Sequence, residues 1–209
     1  FIEGLRSPRE VYVNGKRIED VTTYPAFRRP IEAIAKLYDL KHSPEFQEQL
    51  TYQHPTTGER YDISYLLPTS RTDLIRKRNA YKIFAKANYG SMGRSPEFMN
   101  AFATGLVASK KWFGLGGKQY EENVQNYYEY VRNHDLFLTH ALGTPQTDRS
   151  KASHQQQEEF LHLGIKEETS EGIIIRGAKQ LATMAPLTDE IIIFPNGRQF
   201  SKGDEKYCV

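Results

Sequence analysis

The stretch NYGSMGRSPEF, residues 88–98, sets one arginine between a glycine-rich turn and a Ser-Pro break, with an aromatic residue at each end. A guanidinium placed where one helix ends and the next begins can project into an interhelical cleft and donate up to five hydrogen bonds. Spacing alone favours a structural arginine at position 94. His140, in FLTHALGTPQTDR, follows an apolar strand-like run and precedes a proline-broken polar loop, where an imidazole can donate or accept a proton. Taken singly it reads as a structural histidine. Gln146, Thr147, Asp148 and Arg149 then put an amide, a hydroxyl, a carboxylate and a guanidinium in consecutive positions. That set suits a polyfunctional cofactor, and is equally ordinary in a turn.

Other familiar signals are missing: the chain has no GxGxxG, Walker loop, HExxH or GxSxG. GLGGK at 114–118 follows no strand and reads as a helix-to-helix turn. RTDLIRKRNAYKIFAK alternates basic and aromatic residues, but its acids and helical spacing favour a solvated face over a nucleic-acid contact. Cys208 is the single cysteine of 209 residues, which excludes cysteine-based zinc and iron–sulfur sites and points to a cytoplasmic protein. A formal charge of +2 gives no general affinity for nucleic acid or anionic membrane, and no apolar run nears the ~20 residues of a membrane span. The chain starts without Met and stops at GDEKYCV, where the pattern turns apolar as though a strand were being cut. A fragment is expected.

The elements that position these residues follow from pattern. VYVNGKRI predicts a hairpin turning at Asn14-Gly15, and LTYQHPTTGERYDISYLL predicts a second, with Tyr61, Ile63 and Tyr65 alternating on one face. After Pro30, Ile31, Ile34, Ala35 and Tyr38 recur at helical spacing; a helix opens at Ser70 with Asp73 completing a capping box and closes at Gly90. From Pro96, one helix is expected to bury Phe98, Ala101, Phe102, Gly105, Trp112 and Phe113, with Asn100 and Lys111 opposite. Tyr120, Val124, Tyr127 and Val131 predict a fourth. Beyond about 138 the composition shifts to β-branched runs divided by Ser-Glu-Gly and Pro-Asn-Gly turns. The polar stretch up to about 158 reads as a solvated linker or flexible loop. The expected organisation is a helical domain with hairpins over 1–138 and a β-rich region over 139–209.

In order, VYVNGKRIEDVTTYPAFR, GSMGRSPEFMNAF, YYEYVRNHDLFLTHALGTPQTDR and EGIIIRGAKQLATMAPLTDE resemble the oxygenase component of two-component flavin-dependent phenol hydroxylases, in particular the 4-hydroxyphenylacetate 3-monooxygenases. The resemblance runs the length of the chain. It implies an α+β, acyl-CoA dehydrogenase-like fold: a helical N-terminal domain, a middle β-barrel cut short here, and a C-terminal four-helix bundle absent from this chain. It implies reduced FAD delivered by a separate NADH-dependent flavin reductase, O2 as oxidant, a phenol hydroxylated ortho to its hydroxyl, and dimers or tetramers built through the missing bundle. The fragment alone is expected to be inactive.

By the same resemblance Arg94 and His140 contact the phenol oxygen and the reactive edge of the flavin, while Gln146, Thr147, Asp148, Arg149 and Thr183 bind FAD. No metal is implied. Where the family places a tyrosine four residues after the arginine, this chain has Phe98, which removes a hydroxyl from the phenol-binding trio. That departure opens the substrate to simple phenol or chlorophenols besides 4-hydroxyphenylacetate; a plain core position for Phe98 is the competing reading. A 4-hydroxybutyryl-CoA dehydratase relative would need cluster cysteines near Arg94, which are absent. A non-catalytic scaffold or interaction module is the remaining alternative.

Overall fold

The computed structural model describes residues 1–90, 93–195 and 200–209. The chain forms two compact units, one of Phe1–Leu138 with Pro186–Glu190, the other of Thr139–Ala185 with Ile191–Val209.

In the first unit, β1 (Val11–Val13) and β2 (Lys16–Ile18) form an antiparallel hairpin with Val11 opposite Ile18. Asn14 and Gly15 hold φ of 51° and 74°, the left-handed pair a two-residue turn demands. Helix α1 (Pro25–Leu40) begins five residues before the proline expected to start it, because Pro25 already supplies a favoured first position; Ile31, Ile34 and Leu37 are its buried stripe. A short α2 (Gln47–Leu50) leads into β3 (Thr51–Gln53), which pairs with β4 (Arg60–Asp62). The expected alternation through Tyr65 fails. The strand ends at Asp62, whose carboxylate accepts from the Ser64 N–H and turns the chain into a 3-10 helix over Ile63–Tyr65, all of it buried.

Helix α3 (Arg71–Ala87) carries the predicted capping box, Ser70 accepting from the Asp73 N–H and Asp73 from that of Ser70. Arg71, Arg76 and Arg78 face solvent, as the charge pattern predicts. The single helix expected from Pro96 is broken at Ser109 into α4 (Pro96–Ala108) and α5 (Lys110–Phe113). A 3-10 turn over Gly114–Gly116 and Gly117, at φ 140°, connect to α6 (Lys118–His134), which buries Tyr128, Val131 and Arg132.

These helices are tied to the Asp62–Tyr65 turn by side-chain hydrogen bonds. The Lys77 ammonium donates to the Ser64 and Leu66 carbonyls at 2.9 and 2.8 Å. Asn100 Nδ2 donates to Ser64 Oγ at 3.1 Å, Thr104 Oγ1 to the Ser64 carbonyl at 3.1 Å, and the Tyr128 hydroxyl to the Tyr65 carbonyl. The buried Lys41 ammonium lies 3.0 Å from Asp62 Oδ2 and also pairs with Asp135. Burial disfavours that ammonium, but the two carboxylates outweigh it and raise its pKa above the ordinary lysine value.

Strand β5 (Leu138–Ala141) pairs with β8 (Glu190–Ile193), and within the second unit β6 (Gly164–Thr169) pairs with β7 (Gly172–Arg176) around a bulge between Ile165 and Glu167. The stretch after Arg149, read as a solvated linker or flexible surface loop, is largely exposed but anchored at several points. Ser153 is buried, and the Gln156 side-chain amide donates to the Asp148 carbonyl at 2.9 Å. Asp204 Oδ1 accepts from the backbone N–H of His154 at 2.9 Å and lies 3.0 Å from its Nδ1. The final residues form a 3-10 turn over Glu205–Tyr207 where a strand was expected. The Pro-Asn-Gly turn expected at 195–197 lies partly outside the described residues.

Removing one partner from a buried ion pair strands the other charge. Asp62→Ala is therefore expected to lower unfolding free energy by ~3–5 kcal/mol in urea titrations. Glu32→Ala, which breaks exposed pairs with Arg28 and Arg29, should cost no more than ~1 kcal/mol.

Candidate functional site

Helix α3 ends with Tyr89 and Gly90 in left-handed conformation, and the Gly90 N–H closes back on the Ala85 carbonyl at 2.7 Å. Ser91 and Met92 of the glycine-rich motif lie outside the described residues. When the chain re-enters α4, Pro96 takes the first helical position, and the Ser95 hydroxyl donates to Glu97 Oε1. Burial raises the Glu97 pKa, with the Ser95 hydrogen bond acting against the rise.

Arg94 is half-buried, and its guanidinium carbon lies 4.5 Å from the centroid of the Phe98 ring. That distance is a cation–π contact. Among the described residues Arg94 donates no hydrogen bond, so it does not cap either helix. Stacked on one face, the guanidinium keeps its in-plane N–H donors for a polar or anionic oxygen.

The face assigned to the core of α4 is inverted. Phe98 is 41% exposed and Phe102 36%, and Trp112 on α5 reaches 76%. Asn100, expected on the solvent side, is fully buried. The reason is chemical: Met99, Ala103 and Val107 share the inward face with Asn100 and Thr104, and both polar groups find partners on the Ser64 turn. Phe98 is thus not a core residue of this unit, and Arg94, Phe98 and Phe102 follow one another along an open aromatic face.

The remaining candidate residues fall in the second unit. His140 is half-buried on β5, its ring centroid 6.2 Å from that of Phe194. Its neighbour Thr139 donates through Oγ1 to the Thr183 carbonyl at 2.6 Å. Thr183 is exposed and lies between Leu181 and Met184, two non-glycine residues at φ of 61° and 65°. Such conformations persist where surrounding structure over-determines them, and they cluster at binding sites. The Gln180 N–H donates to the Gly143 carbonyl at 2.8 Å, which holds the segment leading to Thr183 beside the loop that begins at Leu142. A Cβ at Gly143 would sit 3.2 Å from the Gln180 carbonyl oxygen, so a side chain there would press the segments apart.

Within that loop Gln146, Asp148 and Arg149 are exposed and Thr147 is half-buried. Asp148 Oδ1 accepts from the Ser150 hydroxyl and from its N–H at 3.0 Å, bonds that lower the carboxyl pKa. Asp148 therefore shapes the loop from within. Thr147 Oγ1 lies 3.0 Å from Nε2 of His162, whose Nδ1 lies 2.9 Å from Ser153 Oγ. No sequence signal marked His162, because a lone histidine in a β-rich stretch carries no spacing of its own. The structure thus brings Arg94 to Phe98 in one unit, and the loop that begins at Leu142 to the segment leading to Thr183 in the other.

A family model described as the 4-hydroxyphenylacetate 3-hydroxylase N terminal matches residues 1–209. The chain is 41% identical over its full length to the "4-hydroxyphenylacetate 3-monooxygenase oxygenase component" of Thermus thermophilus, spanning 42% of that protein. It superposes with a TM-score of 0.90 at 41% identity on a crystal structure of the oxygenase component (HpaB) complexed with FAD and 4-hydroxyphenylacetate, covering all of this chain and 42% of that one. An archaeal 4-hydroxybutyryl-CoA dehydratase structure from N. maritimus superposes at 0.84 with 22% identity over 99% of this chain and 41% of that one, a likeness of fold alone. Among the described residues no helix is long and apolar enough to cross a membrane.

The loop rests on Asp204 as well as on His162. Burial alone would raise the Asp204 pKa, but hydrogen bonds from Ser201 and His154 outweigh it and hold the carboxyl far below the usual carboxylate range. A depressed folded pKa stabilises above the unfolded value, near pH ~4, and that contribution is lost as pH falls further. Asp204→Asn is expected to lower hydrogen-exchange protection of amides 150–156 about tenfold or more at neutral pH, and to flatten their loss of protection below pH ~4.

Proposed function

Because the chain belongs to the 4-hydroxyphenylacetate 3-hydroxylase N-terminal family, we propose that it is the front part of the oxygenase component of a two-component flavin-dependent monooxygenase. The whole protein hydroxylates a phenol ortho to its hydroxyl, using O2 and reduced FAD from a separate NADH-dependent reductase. It works in the cytoplasm as a homodimer or homotetramer. Residues 1–138 are its helical N-terminal domain, and residues 139–209 carry the flavin loop and the start of a β-barrel in an acyl-CoA dehydrogenase-like architecture. The four-helix bundle lies outside this chain.

The observation that carries this reading is Arg94, half-buried, stacked on Phe98, with no donor committed among the described residues. A guanidinium in that state is poised for a phenol oxygen. Its charge favours phenolate character, which raises electron density at the ortho carbon; His140 is assigned a hydrogen-bond donor role toward the phenol by the family resemblance. Phe98 and Phe102 offer aromatic faces to the ring and shield it from water.

The donor set of the second unit fits FAD. The Gln146 amide, the Thr147 and Thr183 hydroxyls and the Arg149 guanidinium match the polar edge of an isoalloxazine and a diphosphate, and Asp148 keeps the loop in shape. When bound, the reduced flavin supplies the activation of O2.

Without the family's tyrosine hydroxyl, recognition of the phenol oxygen rests on Arg94 and His140, and Phe98 contributes stacking. The preferred substrate is accordingly a phenol or chlorophenol as readily as 4-hydroxyphenylacetate.

In the full-length enzyme with reductase, NADH, FAD and O2, Arg94→Ala and His140→Ala should each lower catechol formation about a hundredfold while NADH is still consumed and hydrogen peroxide released. Undiminished hydroxylation in both variants would refute the assignment. Phe98→Tyr should lower KM for 4-hydroxyphenylacetate about fivefold by adding one hydrogen bond, with little change in kcat; an unchanged KM would remove Phe98 from the substrate contact.

A further inference from the structure

We propose that His162 is a positioning residue for the flavin: it fixes the Thr147 hydroxyl and the segment leading to Thr183 in one register while touching neither cofactor nor substrate. This inference rests on the reading of the 146–149 loop as part of the FAD site.

The geometry is unusual for a core histidine. His162 is 1% exposed, and each of its ring nitrogens meets a different hydroxyl, Nε2 that of Thr147 at 3.0 Å and Nδ1 that of Ser153 at 2.9 Å. Two points fix the plane and rotation of the ring, and through it the loop from 147 to 153. Hydroxyls rotate to donate or accept, so the pair satisfies the imidazole whichever nitrogen carries the proton.

The backbone of the same residue is clamped to the segment leading to Thr183. His162 bridges Ala178 in parallel, and Gly177, at φ 124°, approaches so closely that a Cβ there would lie 2.4 Å from the His162 carbonyl oxygen and 2.6 Å from the Leu163 Cα. No side chain fits at 177. One residue therefore couples both cofactor-facing segments, by its main chain to 177–178 and by its side chain to 147. A loop held at that hydroxyl presents Gln146 and Arg149 in a set direction, which lowers the ordering cost of binding a flavin.

The two ring nitrogens can be separated chemically. An asparagine amide reaches roughly the place of Nδ1 and a glutamine amide that of Nε2, so His162→Asn keeps the Ser153 partner and His162→Gln keeps Thr147. FAD affinity of the full-length enzyme, read from flavin fluorescence, should fall about tenfold in Thr147→Val and in His162→Asn, and stay within about threefold of wild type in His162→Gln. The double variant Thr147→Val/His162→Asn should be no weaker than either single one.

Equal weakening by Asn and Gln would mean that His162 is structural only. Wild-type affinity in His162→Asn beside weakened Thr147→Val would overturn the inference and leave the loop reading intact. Unchanged affinity in Thr147→Val, and in Gln146→Ala and Arg149→Ala, would overturn the loop reading and the inference with it. Should the His162 variants fail to fold, Ser153→Ala decides. It frees the same end of the imidazole that His162→Gln gives up, so it should weaken FAD by no more than about threefold, whereas a loss as large as that of Thr147→Val would sink the proposal.

Discussion

The first unit depends on one short turn. At Asp62–Tyr65 a β-strand gives way to a 3-10 helix, and onto that turn converge an ammonium from α1, an ammonium from α3, an amide and a hydroxyl from α4, and a phenol from α6. Each of those groups would be costly to bury alone, and together with the turn's carbonyls and the Asp62 carboxylate they satisfy one another. Ile34, Ile63, Met99 and Val131 are among the fully buried apolar side chains of the unit. Directional bonds decide which face of each helix turns inward. Because Asn100 and Thr104 must reach Ser64, Phe98 must look out, and with it the guanidinium stacked upon it.

The second unit applies the same logic on a smaller scale. Its strands are short, its 172–176 ribbon is exposed throughout, and it has few buried apolar side chains. Order comes instead from polar clamps. Asp204 holds His154, His162 holds Thr147 and Ser153, and the Lys179 ammonium donates to the Phe194 carbonyl at 2.8 Å. A loop rich in Gln, Ser and Lys is thereby kept in a defined shape although its composition is that of a solvated segment.

What could be read in the sequence were features whose cause is local. Asn14-Gly15 specifies its own backbone angles, Ser70 and Asp73 cap one another three residues apart, and α6 shows its apolar period without help. What could not be read depends on partners far along the chain. The inverted face of α4 is set by Ser64, 36 residues before Asn100, and leaves no periodic trace; counting aromatics as core gave the opposite face. The Asp62 carboxylate that turns the chain through Ser64 is itself paired with an ammonium 21 residues away, and the pinned loop depends on Asp204, 50 residues beyond His154. Of the candidate site, the contact of Arg94 with Phe98 spans the start of α4, with Arg94 two residues ahead of the first helical position, so helical spacing alone does not foretell it. Nothing local foretold the role of His162 in holding Thr147.

The outward turn of α4 separates two kinds of selection. Positions 99, 100, 103, 104 and 107 are buried in the unit, while 98 and 102, one helical turn apart, lie on the open face. A lineage can therefore exchange the aromatic side chains there, one hydroxyl at a time, without first acquiring a compensating change in the interior. Diversification of chemistry on a conserved scaffold then requires no passage through unfolded ancestors.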